Sequence, residues 1–415
     1  MQFTTMNNIT KIAVFCLAVV TSTVFSQENG GTPSSPYSLF GLGTLSETTT
    51  GKINTLGKLG YAFESDTELN SLNPASYGSI GSTSFFFDLG IKAGTETFKD
   101  SNGKTTNFTG NFSNLAFAFA LSPSSGIGLS LSPYTNVGYN ISGIETEIEG
   151  STSTFYSDVY GTGGLNDLKV NYGYAINDKL QIGVSGTYLF GQITQTEINY
   201  LAGNILQIEE ENNYSGARLG FGFQYIPSDK MSFGGIVNLP TNIKGSQTQT
   251  ISQLYEDDVT ETDDVDDFKL PLELGFGFKS RVYKGLTLNV DYKKSLWDAT
   301  NQSDYFGDYV NQDALGVGLE YFSDKSDYKY MNTIRYRAGF NYDNGNLLVA
   351  DKRVKNYAFN LGLGLPLKKG SSSMLNINYS YGGKGQISNG YVKENYHLLS
   401  LNFSLEGIWF LKRKL

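Results

Sequence analysis

The chain has 415 residues, with 40 Asp and Glu against 31 Lys and Arg, a formal net charge of -9 and one histidine. That balance argues against nucleic acid, whose backbone calls for a basic surface. Gly 48, Tyr 28 and Phe 27 stand against Pro 9, and no apolar run is long enough for a membrane-spanning helix, so the composition points to an all-β protein.

Residues 1–11 are polar and include Lys11, and Ile12 to Val20 is an apolar run too short to cross a bilayer as a helix. Small residues follow, and Val24-Phe25-Ser26 precedes Gln27 as a cleavage signal. Residues 1–26 therefore read as a secretory signal peptide rather than a buried N-terminal helix. The single cysteine, Cys16, lies in this run behind Ala13-Val14-Phe15, a poor lipobox. The mature chain is expected to carry no lipid anchor, no disulfide and no thiolate metal site. Residues 27–55 read as a Ser-, Thr- and Gly-rich periplasmic lead-in, whose Tyr37-Ser38-Leu39-Phe40 is suited to docking on another protein. Residues 56–80 hold turn formers such as Gly57, Gly60, Asn70, Asn73 and Gly78. They form no strand of the series that follows, and read as a plug centred on Asn73, Pro74, Ala75 and Ser76.

From residue 81 onward the periodicity is two. Leu115, Phe117, Phe119 and Leu121 alternate with small or polar residues, as do Val170, Tyr172, Tyr174 and Ile176, and Leu399, Leu401, Phe403 and Leu405. One apolar face with this period is a strand and not an amphipathic helix. The candidate strands are 82–98, 111–122, 125–140, 164–177, 179–198, 214–227, 229–243, 268–282, 285–297, 313–324, 330–343, 354–367, 373–383 and 394–405. Short links after the even strands alternate with long polar links after the odd ones, near 99–110, 141–163, 199–213 and 244–267 among others. Outer-membrane barrels sort their connections this way, and a soluble sandwich has no reason to. The expected fold is a transmembrane antiparallel barrel of about 14 strands over 81–415, with a plug in its lumen and both termini periplasmic.

Gly220/Gly222, Gly275/Gly277, Gly316/Gly318 and Gly362/Gly364 fall on the face opposite the apolar one. None opens a helix after a strand, so none is a nucleotide loop. They hollow the lumen for a filler, or they bend the wall. By parity Arg218, Glu273, Asp291, Lys293, Glu320, Arg335 and Arg337 face inward. They form a polar network bracing the plug, or Arg335 and Arg337 hold a ligand carboxylate in two-pronged fashion. The acidic run 256–267 does not match an EF-hand loop and reads as a solvated face, with calcium binding as the alternative. The single histidine, His397, shares the outward parity of Leu399, so no general base for a hydrolase is evident. No metal cluster is evident either. No enzyme activity and no cofactor are expected.

Leu59-Gly60-Tyr61-Ala62-Phe63 through the acidic residues to Asn73-Pro74-Ala75-Ser76, placed just before the first strand, resembles the plug of the long-chain fatty-acid transporter (FadL-type) outer-membrane family. Lys58-Leu59-Gly60 departs from that family's consecutive small residues, and the lead-in from Pro36 to Gly43 is extra. Ser132-Pro133-Tyr134 interrupts the third strand, since proline cannot donate to a ladder. It either ends the strand or kinks it. In the family such a kink opens a lateral gap. The resemblance implies uptake of hydrophobic small molecules such as long-chain fatty acids, past the plug and through that gap into the membrane. Outer-membrane lipid and a hydrophobic ligand are then the expected partners. The alternative is a non-transporting accessory barrel of an outer-membrane protein export or barrel-assembly complex.

Overall fold

The computed structural model describes residues 35–408, apart from 47–48, 66, 101–102, 149–153, 202–203, 254–255, 305–306, 324–329, 350, 369–371 and 388–391. Residues 1–26, read above as a signal peptide and containing Cys16, and the tail from Trp409 lie outside the described residues.

Apolar side chains at every second residue can share one face only on a pleated strand. Fourteen strands close into an antiparallel barrel. They are β1 (Ser84–Lys99), β2 (Lys104–Ser122), β3 (Ser125–Pro133 and Thr135–Glu147), β4 (Thr154–Asn177), β5 (Leu180–Leu201), β6 (Asn204–Ser228) and β7 (Met231–Asn238 and Thr241–Gln253). The circuit continues with β8 (Val259–Leu270 and Glu273–Tyr283), β9 (Leu286–Ser295), β10 (Gln312–Phe322), β11 (Arg335–Asp343), β12 (Asn356–Pro366), β13 (Met374–Lys384) and β14 (Lys393–Ile408). β1 pairs β14 along its whole length, from Ser84 opposite Ile408 to Lys99 opposite Lys393, and closes the ring. Val170, Tyr172 and Tyr174 on β4, Leu219 and Phe221 on β6, and Phe359 and Leu361 on β12 stand exposed on the outside. This is the lipid-facing band of an outer-membrane barrel.

Short turns gather at one end, as at 123–124, 178–179 and 229–230. The other end departs from the expected loops. The links at 99–110, 141–163, 199–213 and 244–267 are largely strand, and β4, β5 and β6 run 24, 22 and 25 residues. β10, β12 and β13 have 11 residues each. The apolar alternation stops where lipid stops, but a ladder of backbone hydrogen bonds needs no apolar face. Thr, Tyr and Ile in these stretches favour the pleat. The upper parts of β3 to β8 thus form a tall wall above the rest of the rim.

Prolines mark the base of that wall. β3 breaks between Pro133 and Thr135, β7 at Leu239-Pro240, and β8 at Pro271-Leu272. Arg218 of β6 supplies donors where the ladder lacks them. Its Nε donates to Leu239 O at 2.8 Å, and its terminal nitrogens donate to Pro271 O at 2.5 Å and to Glu273 at 3.0 Å.

The barrel's core is its lumen. Residues 35–46 and 49–55, expected outside the barrel as a periplasmic lead-in, lie within it. Tyr37, Phe40 and Leu42 are buried, and Leu42 packs among Val137, Leu189, Ile243, Phe268 and Trp297 of the wall and loops. The physical reason is that four large apolar side chains in six residues gain more from burial in the lumen than a solvated linker could. Above them, strands at Gly307–Tyr309 and Leu347–Val349 belong to a small four-stranded sheet, and Leu347 packs on Tyr37 and Phe40.

Candidate functional site: the filled lumen and its side gap

Asn73-Pro74-Ala75-Ser76 begins a short 3-10 turn, Pro74–Ser79. Asn73 caps it, its side-chain oxygen accepting from Ala75 N at 3.0 Å, and proline at the first position has no amide to satisfy. The Asn73 amide nitrogen donates to Tyr61 O at 2.7 Å and to Phe223 O of the wall at 3.0 Å. Ser76 Oγ lies 2.9 Å from Ser65 Oγ, and Ala75 is wholly buried. Several lumen-facing glycines are where the plug meets the wall, while Gly220 and Gly364 face wall side chains instead. A Cβ on Gly222 would lie 2.1 Å from Asn73 Oδ1, one on Gly277 2.9 Å from Ala62 N, and one on Gly316 2.6 Å from Gly57 O. These glycines therefore make room for a filler, whatever they add to curvature. Burial pushes the Tyr61 and Tyr77 hydroxyls up, and the Glu273 and Asp291 carboxylates push Tyr61 further, so both phenols stay neutral.

The inward charges meet the plug. Arg337 donates through one terminal nitrogen to Glu68 at 3.1 Å and through Nε to Glu320 at 2.6 Å. The side chains of Glu68 and Arg337 are each 1% exposed. Glu68 also accepts from Lys52 N at 3.2 Å and from Asn376 at 2.8 Å. Arg335 reaches Glu320 at 3.4 Å. Asp291 accepts from Tyr61 N at 2.9 Å, and Lys279 pairs with Glu64 of the plug at 3.0 Å. The carboxylates held by Arg337 are thus the protein's own. Arg218 and Glu273 sit apart from this group at the base of the tall wall, and Lys293 lines the chamber beside Glu273. The sequence reading missed Glu64 and Glu68. The available signal was that they are acids inside a segment otherwise bound for burial, opposite a wall with an excess of inward Arg and Lys.

Ser132-Pro133-Tyr134 divides β3 into two pieces with different neighbours. The lower piece pairs β2 from Ser122/Ser125 up to Leu115/Leu131, and pairs β4 on its other side. The upper piece pairs β4 but not β2, so the wall has a side gap above Leu131. Tyr134 carries the crossing, its N–H donating to Leu165 O at 2.7 Å, while Ser132 donates to Asp167 at 3.0 Å. The lead-in fills the free edge. Thr44 and Leu45 pair antiparallel with Asn136 and Thr135, and Ser46 N donates to Tyr134 O at 2.8 Å. Gly138 N donates to Ser38 Oγ at 3.0 Å, a side chain standing in for the next ladder bond. Asn111 of β2 reaches across to Asn136 at 3.2 Å.

Between plug and lead-in remains a chamber of about 400 Å³, whose lining includes Lys92, Glu96, Lys169, Glu273, Lys293 and Glu394. Its lining is mixed, with these charges standing beside Phe40, Leu59, Leu72, Ile236 and Leu347. Ser35 donates to Glu394 and Tyr37 to Val392 O at its loop end, so the first described residue sits in that half of the lumen. Ile408 lies at the short-turn end. His397 is exposed, with Nδ1 2.7 Å from Tyr379 OH. The acidic run lies mostly on the upper piece of β8, and among the described residues no three His, Cys, Asp or Glu converge as metal ligands.

A family model described as BamG matches residues 8–415. No curated protein sequence matches the chain. Among solved structures, a Pseudomonas aeruginosa FadL homologue superposes with a TM-score of 0.59 at 11% identity, covering 88% of this chain and 98% of its own. The Ralstonia pickettii toluene transporter TbuX gives 0.55 at 14%, covering 86% and 98%. The Pseudomonas putida toluene transporter TodX gives 0.57 at 14%, covering 88% and 98%. At these identities the likeness establishes the fold, that of FadL-type outer-membrane barrels.

Proposed function

The chain belongs to the BamG family, and we propose that it is a non-conducting, non-enzymatic barrel subunit of an outer-membrane complex for protein export or barrel assembly. In this reading the barrel stands in the outer membrane with its C-terminus periplasmic and its tall wall outside. The observation that carries the reading is the lead-in. It fills the loop-end half of the lumen and forms backbone bonds along the free edge of β3, so that the side gap is closed by the chain itself. Below it, the plug is fastened to the wall through the buried Glu68–Arg337 pair and through Asp291. A hydrophobic molecule would have to displace a hydrogen-bonded strand to leave through the gap. Such a barrel is suited to be scaffold rather than conduit.

The second reading is uptake of hydrophobic small molecules such as long-chain fatty acids. What favours it is the interrupted third strand, which leaves an opening in the wall at Pro133–Tyr134, and a fold shared with the toluene transporters TbuX and TodX and a FadL homologue. Transport would require the lead-in to leave the gap. Mild-detergent purification from native membranes, with mass spectrometry for both lipids and proteins, separates the two. A stoichiometric protein partner without bound amphiphile is the expected result. Bound amphiphile with no partner would reverse the order of the readings.

A further inference from the structure

The outer face of the tall wall carries a row of exposed apolar side chains far from lipid. Tyr156 of β4 stands opposite Tyr200 of β5, and Tyr200 opposite Ile205 of β6. They are 50%, 42% and 50% exposed. Tyr200 shares its face with the lipid-facing Tyr188 but lies twelve residues further along β5, about 40 Å along the strand at ~3.3 Å per residue and roughly 30 Å in height for a strand tilted by about 40°. The bilayer cannot cover it. A contiguous exposed apolar row outside the membrane marks a binding surface, and tyrosine is a favoured anchor in such contacts.

The rim of this row is acidic. Tyr200 donates to Asp158 at 3.3 Å, Glu145 stands opposite Tyr156, and Glu209 lies on the same face of β6. The three hairpin extensions, 141–160, 192–215 and 245–267, hold sixteen Asp and Glu and no Lys or Arg. The remainder has 24 acids against 31 bases, since the chain totals are 40 and 31. The wall's charge repels anionic lipid headgroups and a second copy of itself. An occupant must be complementary to it, with Lys and Arg around an apolar centre.

We propose that the Tyr156–Tyr200–Ile205 face is the docking site for a partner protein bearing a basic rim around an apolar patch. The proposal rests on the subunit reading and names the surface through which the subunit binds. The test places a photo-crosslinking amino acid at position 200 or 205 of the full chain in native outer membranes, with positions 188 and 214 as controls on the lipid face and the inner face. The expected result is one defined protein crosslinked from 200 and 205 and not from the controls. The purified pair should lose at least tenfold in affinity with Tyr200→Ala, and weaken as salt is raised. Heat-modifiable mobility on electrophoresis shows that the variant barrel is folded. A crosslink to a second copy, a crosslink to lipid alone, or an affinity untouched by Tyr200→Ala overturns the proposal. So does an intact co-purifying complex with no crosslink at 200, which leaves the subunit reading standing. Absence of any complex on native purification defeats that reading itself and the docking site with it.

Discussion

Glu68 and Arg337 show what a single side chain does in this lumen. Each is buried, and each satisfies the other's charge. Removing Glu68 leaves Arg337 with Glu320 as its remaining carboxylate partner and strips Lys52 N and Asn376 of an acceptor, so the cost is expected to fall below the roughly 3–5 kcal/mol of a fully uncompensated buried charge. Glu68→Ala is therefore expected to lower the denaturant midpoint of the purified barrel, and Glu68→Gln, which keeps an acceptor, to lower it less. Equal effects of the two variants would mean that the lost charge, and not the hydrogen-bond acceptor, is what Glu68 contributes. Gly222→Val acts on the same plug from the wall side, because its Cβ would lie 2.1 Å from Asn73 Oδ1. The expected outcome is a folded barrel with a displaced plug, read as raised ion conductance in planar bilayers. Conductance unchanged from the parent would show that the wall yields instead.

At the level of elements, the lead-in and the broken strand complement each other. The upper piece of β3 lacks β2 as a neighbour, and an unpaired strand edge invites another strand. Thr44–Leu45 takes that place, and Gly43 makes the approach possible. Its φ is +90, and a Cβ there would lie 2.6 Å from Asn136 O. Gly43→Val should drive the segment off the edge, raising hydrogen exchange of the Asn136 and Gly138 amides about tenfold or more. Exchange at the parent rate would mean that these amides are protected by something other than the lead-in. Arg218 is the equivalent fastening at the base of the tall wall, joining β6, β7 and β8. Arg218→Ala leaves Glu273 short of its cation and is expected to cost about 3 kcal/mol of unfolding free energy. A loss under about 1 kcal/mol would be that of an ordinary surface pair.

At the scale of the molecule, a barrel abolishes sheet edges only where it is closed, and here it is closed at the membrane and open above it. Among the described residues the upper piece of β8 pairs β7 on one side only, and this edge carries Glu261, Asp263 and Asp264. Charges on an open edge discourage pairing with other chains, which gives the acidic run a role that needs no metal. Replacing those three with Ser should make the detergent-solubilised protein associate at low salt, as followed by light scattering. A variant that stays as monodisperse as the parent would remove that role. A filled lumen also predicts that the wild-type barrel conducts poorly beside an open porin in the same planar-bilayer measurement.

The sequence by itself determined the wall. Period-two alternation is a local property, so fourteen strands, their order and their lipid face could be read residue by residue, and the glycines opposite that face marked where something must come close. The plug was legible because turn formers cannot continue an alternating ladder. Tertiary structure alone decided where that wall leaves a gap and what closes it. Pro133 announces an interruption, yet a kink and an end look the same until the neighbours of β3 are known. Tyr37, Leu39, Phe40 and Leu42 announce a need for burial without naming the surface. The polar ends of β4 to β6 remain strand because backbone pairing, unlike lipid contact, leaves no apolar pattern in the side chains.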